Sequence, residues 1–228
     1  MTLAIDRRAL LGTAILLPAL ALPGCATVGD LGGGFGIADA IRRLLTLSSQ
    51  RAFARLAQPD GFFADELVRI GLPDRLGSAS GVLSRLVQTA PVRDRLLRQV
   101  NRAAAEAADA AAPVIYDSIS SLRFTDAVSI LRGGSDAATG VLRDAVGTAV
   151  VNRLLPDVGG ALRLFDSGVV NEVLRAGTGI DFSELADDVS RKTGDAIFRA
   201  IAREEAAIRA DPRETGDPLL IGVFGLRR

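Results

Sequence analysis

The sequence contains no histidine and no tryptophan, and it has one cysteine (Cys25), one lysine (Lys192) and one tyrosine (Tyr116), with aromatic residues making up only 4% of it. Each scarcity closes a class of chemistry. Without His the usual general base near neutral pH is missing, and neither a Ser-His-Asp triad nor a Cys-His pair can be assembled. A single thiol allows no intramolecular disulfide, and zinc sites of the Cys/His type are excluded. An all-oxygen calcium or magnesium site is open to this composition, but the ligand loop of an EF-hand is absent. No Walker-type phosphate loop occurs, because Lys192 is not preceded by Gly. Gly77-Ser78-Ala79-Ser80-Gly81 carries Ala where a G-x-S-x-G motif needs its nucleophile. Two carboxylates acting on a glycosidic bond remain open, yet helical enzymes of that kind surround their Glu with aromatic sugar platforms, which are scarce here. The expectation is a protein that is not an enzyme and needs no metal or cofactor.

Charge excludes another class. The 27 basic and 27 acidic residues balance, so there is no overall basic surface to displace counterions from phosphates, and no nucleic-acid partner is expected.

What is present begins at the N-terminus. Arg7-Arg8 precedes an apolar run over residues 9–22 (ALLGTAILLPALAL), followed by Pro23-Gly24-Cys25. A short basic region, a short apolar region and small residues before a cut make up a secretory signal. The run falls short of the roughly 20 residues a membrane span needs, and Pro18 interrupts it. Leu22-Pro23-Gly24-Cys25 resembles a lipobox, with Pro23 where Ala or Ser is more usual. That resemblance implies that residues 1–24 are removed, that Cys25 takes a diacylglycerol, and that the new amine is acylated. Two or three chains would hold the protein in a bilayer almost permanently, since each buried methylene adds about 0.8 kcal/mol. Losing Asp6, Arg7 and Arg8 leaves the mature chain with a single net negative charge. The segment 6–11 also resembles a weak twin-arginine signal, leaving the export route open between the two pathways. The same resemblance to lipoproteins implies, from Ala26 rather than Asp after Cys25, the periplasmic face of the outer membrane. Residues 25–37, with Gly32-Gly33-Gly34 and Gly36, read as the lipidated residue and a flexible tether.

The remainder, 38–228, reads as one all-α domain, an irregular multi-helix bundle. Over 91–122 the apolar positions Val92, Leu96, Val100, Ala103, Ala107, Ala111, Ile115 and Ile119 follow the spacing of a buried face, and Pro113 is expected to kink or split that helix. A second long helix is predicted over 181–210, ending before Asp211-Pro212. Four pairs on its outer side, Asp187/Arg191, Asp188/Lys192, Asp195/Arg199 and Glu205/Arg209, stand four apart with the acid first, which reads as a solvated, ion-paired face. Shorter helices are predicted at 38–57, 73–88, 125–132, 135–153, 157–165 and 217–224. Gly133 should end one of these and Ser135 cap the next. Val68, Ile70 and Leu72 alternate, which suits a short extended piece.

Four blocks stand out: Gly71-Leu72-Pro73-Asp74, Val100-Asn101-Arg102-Ala103-Ala104, Ile130-Leu131-Arg132-Gly133-Gly134-Ser135-Asp136-Ala137-Ala138-Thr139, and Val223-Phe224-Gly225. In this order they resemble the bacterial family known as domain of unknown function 4197. The resemblance spans about 38–226 and implies a secreted or lipid-anchored protein, in line with the signal; it implies no catalytic residue.

Two functions follow as expectations. One is a lipid-anchored binding or accessory protein whose helices hold an apolar or lipid-like ligand, in keeping with 48% hydrophobic residues. The other is a scaffold touching an envelope protein or the cell wall; a carboxylate-based hydrolase ranks below both. The candidate binding residues are Asn101, Arg102, Asp136, Thr139 and Arg143. Asp136, Thr139 and Arg143 share a helix face at i, i+3 and i+7, and Arg102 is placed to pair with Asp136 across two helices. The competing reading of these five residues is an interhelical ion pair and a helix cap, and the sequence favours it.

Overall fold

The structure, a computed structural model of the 228-residue chain, describes residues 34–72, 85, 89–164 and 182–225. The chain divides into units 1–30 and 31–228, and every described residue belongs to the second. The signal, Cys25, and nearly all of the helix expected at 73–88 lie outside the described residues.

Six α-helices, and no strand, occur among the described residues: α1 Gly34–Leu56, α2 Ala90–Ser121, α3 Ala127–Arg132, α4 Ala137–Leu164, α5 Phe182–Ala210 and α6 Pro218–Phe224, with a 3-10 turn at Pro212–Thr215 before α6. None of the helices is long and apolar enough to cross a membrane. The chain is therefore the all-α bundle that its 3.6-residue period predicts. In packing, α4 lies against both α2 and α5, while α1 lies across α5 and α2.

Side-chain size explains these neighbours. The buried face of α2 is largely alanine, with Ala103, Ala104, Ala107, Ala108 and Ala111 all buried, so its partner can approach closely and lose little side-chain entropy in doing so. The same device recurs where α5 meets α4. A Cβ on Gly194 would stand 3.2 Å from Cγ2 of Val151, so a side chain there would press on the Val151 side chain. Between these contacts sit Ile41, Leu44, Leu45, Ile115, Leu142, Leu154, Ile197 and Ile201, all essentially without solvent contact; each contributes about 1.5–3 kcal/mol by burial.

Three boundaries differ from the sequence expectation. α1 starts at Gly34, inside the stretch read as tether. α2 runs unbroken through Pro113, and α4 through Pro156, which joins the two helices expected at 135–153 and 157–165. Both prolines are exposed, where a lost backbone hydrogen bond can be replaced by water. The alternating segment around Ile70 is not a strand; it belongs to an irregular segment, 57–72, that crosses from α1 towards α5.

Candidate functional site

The Ile130–Thr139 block is a corner between two helix ends. α3 ends at Gly133, whose N–H bonds the Ile130 carbonyl. A Cβ there would fall 2.7 Å from that of Ala137, so only glycine allows so tight a return into α4. The first turn of α4 leaves backbone N–H groups unpaired, and the group that takes them comes from α5. Glu205 accepts from the Ala138 N–H at 3.0 Å, the Thr139 N–H at 2.7 Å and the Thr139 hydroxyl at 2.6 Å. Its charge also suits the positive end of a helix. The expected cap by Ser135 is thus corrected: Ser135 is exposed, and the carboxylate of a distant residue does the capping. The anion that this glycine-rich corner invites is supplied by the chain itself.

Arg209 completes the corner. It donates from Nε to Glu205 at 2.7 Å and from its two terminal nitrogens to the carbonyls of Leu131 and Ile130, at 3.1 and 3.2 Å. Its guanidinium lies 4.9 Å from the centre of the Phe224 ring. One ion pair therefore joins the end of α3, the start of α4, α5 and α6. Glu205 is fully buried and Arg209 nearly so, which overturns the solvated reading of this pair. The rest of that face is also partly engaged in tertiary contacts. Asp195 pairs with Arg143 at 2.5 Å, Arg199 donates to the Leu67 carbonyl at 2.9 Å, and Lys192 bonds both Asp188 and the Leu72 carbonyl. The expected Asp188/Lys192 pair thus forms, at 2.9 Å and partly buried, and Arg191 keeps an exposed pairing with Asp187 and Asp188 at 3.7 Å.

The five candidate residues consequently separate. Thr139 is buried beneath Glu205, and Arg143 is tied to Asp195. Asp136 is exposed and makes no ion pair with Arg102. Asn101 is buried, and its side-chain amide is fully engaged: its oxygen accepts from the Ile70 N–H at 2.8 Å, and its nitrogen donates to the carbonyls of Ile70 (2.9 Å) and Leu97 (2.8 Å). Asn101 pairs with the Ile70 backbone as a neighbouring strand would. Arg102, like Asp136, is exposed and has no side-chain hydrogen-bond or ion-pair partner among the described residues, but of the two only Arg102 lines a cavity.

Arg102 lines a groove of about 390 Å³ between α2 and the loop 58–63, with Phe62, Phe63, Ala105 and Asp60 among its other walls. The loop is held by close approach. Asp60 adopts a left-handed φ of 57°, and a Cβ on Gly61 would meet the carbonyl oxygens of Leu56 and Arg55 at 2.5 and 2.6 Å. The chain beyond the loop lacks regular structure and is fixed by side chains. Arg69 donates to the Phe63 carbonyl at 2.5 Å, and Arg203 pairs with Asp65. Arg55 meets the buried Glu204 at 2.8 Å. Burial pushes the Asp65 carboxyl up, but the Arg203 hydrogen bond, the Leu67 N–H and the charges of Arg203 and Arg55 outweigh it and hold it below the usual carboxylate range. A rigidly held irregular segment beside an open groove is where binding residues are often placed.

Two other depressions are less suited to a ligand. One, of about 120 Å³, faces Arg209, each of whose three nitrogens already donates to a protein oxygen. The other, of about 420 Å³, lies between α4 and α5 beside Pro156 and Gly160; Asp187 is its one charged wall, and Arg191 pairs with it. No group of three His, Cys, Asp or Glu that could hold a metal occurs among the described residues.

Compared with known proteins, residues 34–225 match the model of a family described as "Protein of unknown function (DUF4197)". No curated protein and no solved structure matches the chain.

Proposed function

Because this chain belongs to the DUF4197 family, whose description names no activity, its function has to be read from its own residues, and we propose that it is a non-catalytic binding lipoprotein of the bacterial envelope. In this reading Cys25 carries the lipid that holds the domain at the periplasmic face of the outer membrane. The groove beside the loop 58–63 takes an apolar or lipid-like ligand. One observation carries the proposal: Arg102, a free and exposed cation, stands in a groove whose other lining residues include Phe62 and Phe63. An apolar cleft with a few convergent polar groups is the usual form of a small-molecule site. A scaffold role ranks second. Leu67 and Val128 are exposed at 44% and 40%, but scattered apolar side chains are ordinary on a protein surface.

Native mass spectrometry of the full protein extracted from bacterial envelopes tests the reading. A bound adduct of defined mass is expected; a protein that carries none, and that cross-links instead to one specific envelope protein, would favour the scaffold.

A further inference from the structure

Two guanidinium groups approach the Phe63 ring, Arg98 at 4.4 Å and Arg69 at 5.1 Å from its centre. Arg98 and Arg102 stand four residues apart on α2, hence on one face, and Arg102 lines the groove. None of the three forms an ion pair among the described residues, whereas Arg43, Arg55, Arg143, Arg203 and Arg209 each meet a carboxylate. Among the lining residues Asp60 balances Arg102, and Arg98 and Arg69 over the Phe63 ring add positive charge beside the groove. Arg69 is engaged by the Phe63 carbonyl, but Arg98 and Arg102 have no hydrogen-bond or ion-pair partner among the described residues. Like charges one turn apart repel, and an anion placed between them relieves that repulsion. A guanidinium lying over a ring keeps its N–H edge free, and that edge matches the paired oxygens of a carboxylate or phosphate.

We propose that the groove takes a small acidic amphiphile, with its phosphate or carboxylate held by Arg98 and Arg102 and its apolar tail against Phe63 and Ala105. The inference rests on the ligand-groove reading above and adds the sign of the ligand's charge. A volume of about 390 Å³ is near the lower end for ligand pockets, which suits one short chain rather than a whole two-chain lipid.

The test is a calorimetric titration of the full chain carrying Cys25→Ser, with octyl phosphate, octyl glucoside and inorganic phosphate as probes. Octyl phosphate is expected to bind at least tenfold more tightly than either of the others. Arg98→Gln and Arg102→Gln should each weaken it about tenfold, the loss of one charge-assisted hydrogen bond, and leave octyl glucoside unchanged. Both arginines are exposed and Gln is a good helix former, so an unchanged melting temperature verifies that the variants fold. Equal affinity for octyl phosphate and octyl glucoside would overturn the acidic assignment and leave the apolar groove standing. Inorganic phosphate binding as tightly as octyl phosphate would overturn the amphiphile and leave a site for a free anion. No binding of any probe would overturn the groove itself.

Discussion

Glu205 on α5 accepts from the hydroxyl of Thr139 at 2.6 Å and from its backbone N–H at 2.7 Å, across 66 residues of sequence. That contact makes the most distinctive block of the chain a structural corner. Glu205→Ala would leave Arg209 buried and unpaired and α4 uncapped, with an expected loss of about 3–5 kcal/mol. Thr139→Val keeps the volume and removes one hydrogen bond to a charged group, with an expected loss of about 1.5–3 kcal/mol. Urea denaturation checks both, and values near zero would show that the corner contributes nothing to stability.

Asn101→Ala should leave the buried N–H and carbonyl of Ile70 without partners. The expected loss is about 2–4 kcal/mol, since each unsatisfied group costs about 1–3 kcal/mol. Hydrogen exchange should rise at the Ile70 amide. If stability held and only ligand retention fell, Asn101 would be a binding residue after all.

The long helices were legible because their apolar faces repeat without interruption, as in α2 from Leu96 to Ile119. The prolines misled because the breaks expected there do not occur: the helices continue through Pro113 and Pro156, both exposed, where water can replace the lost backbone hydrogen bond. Glu205 misled for another reason. An acid four residues before an arginine looks the same on a solvated face and in a buried clamp. The distinguishing signal was its register: Glu205 stands four residues after Ile201 and three before Ile208, on the apolar face itself. Of the five candidate residues, only Arg102 both lines the groove and is free. The groove itself was not legible, because loop 58–63 meets Arg102 and Ala105 of α2 through a long-range approach that no periodicity encodes.

Acid should weaken the fold through two carboxylates. For Asp217, as for Asp65, burial acts to raise the pKa, and it is outweighed, here by Arg43 and the N–H groups of Leu220 and Leu219. A carboxyl lowered on folding stabilises the protein above its unfolded pKa of about 4 and loses that contribution as pH falls through the folded value. Stability from these groups should therefore be flat between about pH 5 and 7 and fall below about pH 4. Asp65→Asn should flatten the acid limb in urea titrations, and an unchanged limb would contradict the assignment. High salt should reduce the Asp217 contribution, because Arg43 is largely exposed.

Cys25→Ala should abolish incorporation of labelled fatty acid and release the protein from the membrane fraction. Continued labelling of the variant would contradict lipidation at this residue.

The most direct measurement compares the native mass and melting temperature of wild type and Arg102→Ala, both taken from the envelope. Arg102 is exposed on a helix, where Ala is the best helix former, so the fold should not suffer. The account predicts a wild-type adduct that is lost from Arg102→Ala at an unchanged melting temperature. An adduct retained in full by the variant, or a variant that loses it only by melting earlier, would contradict the groove as the binding site.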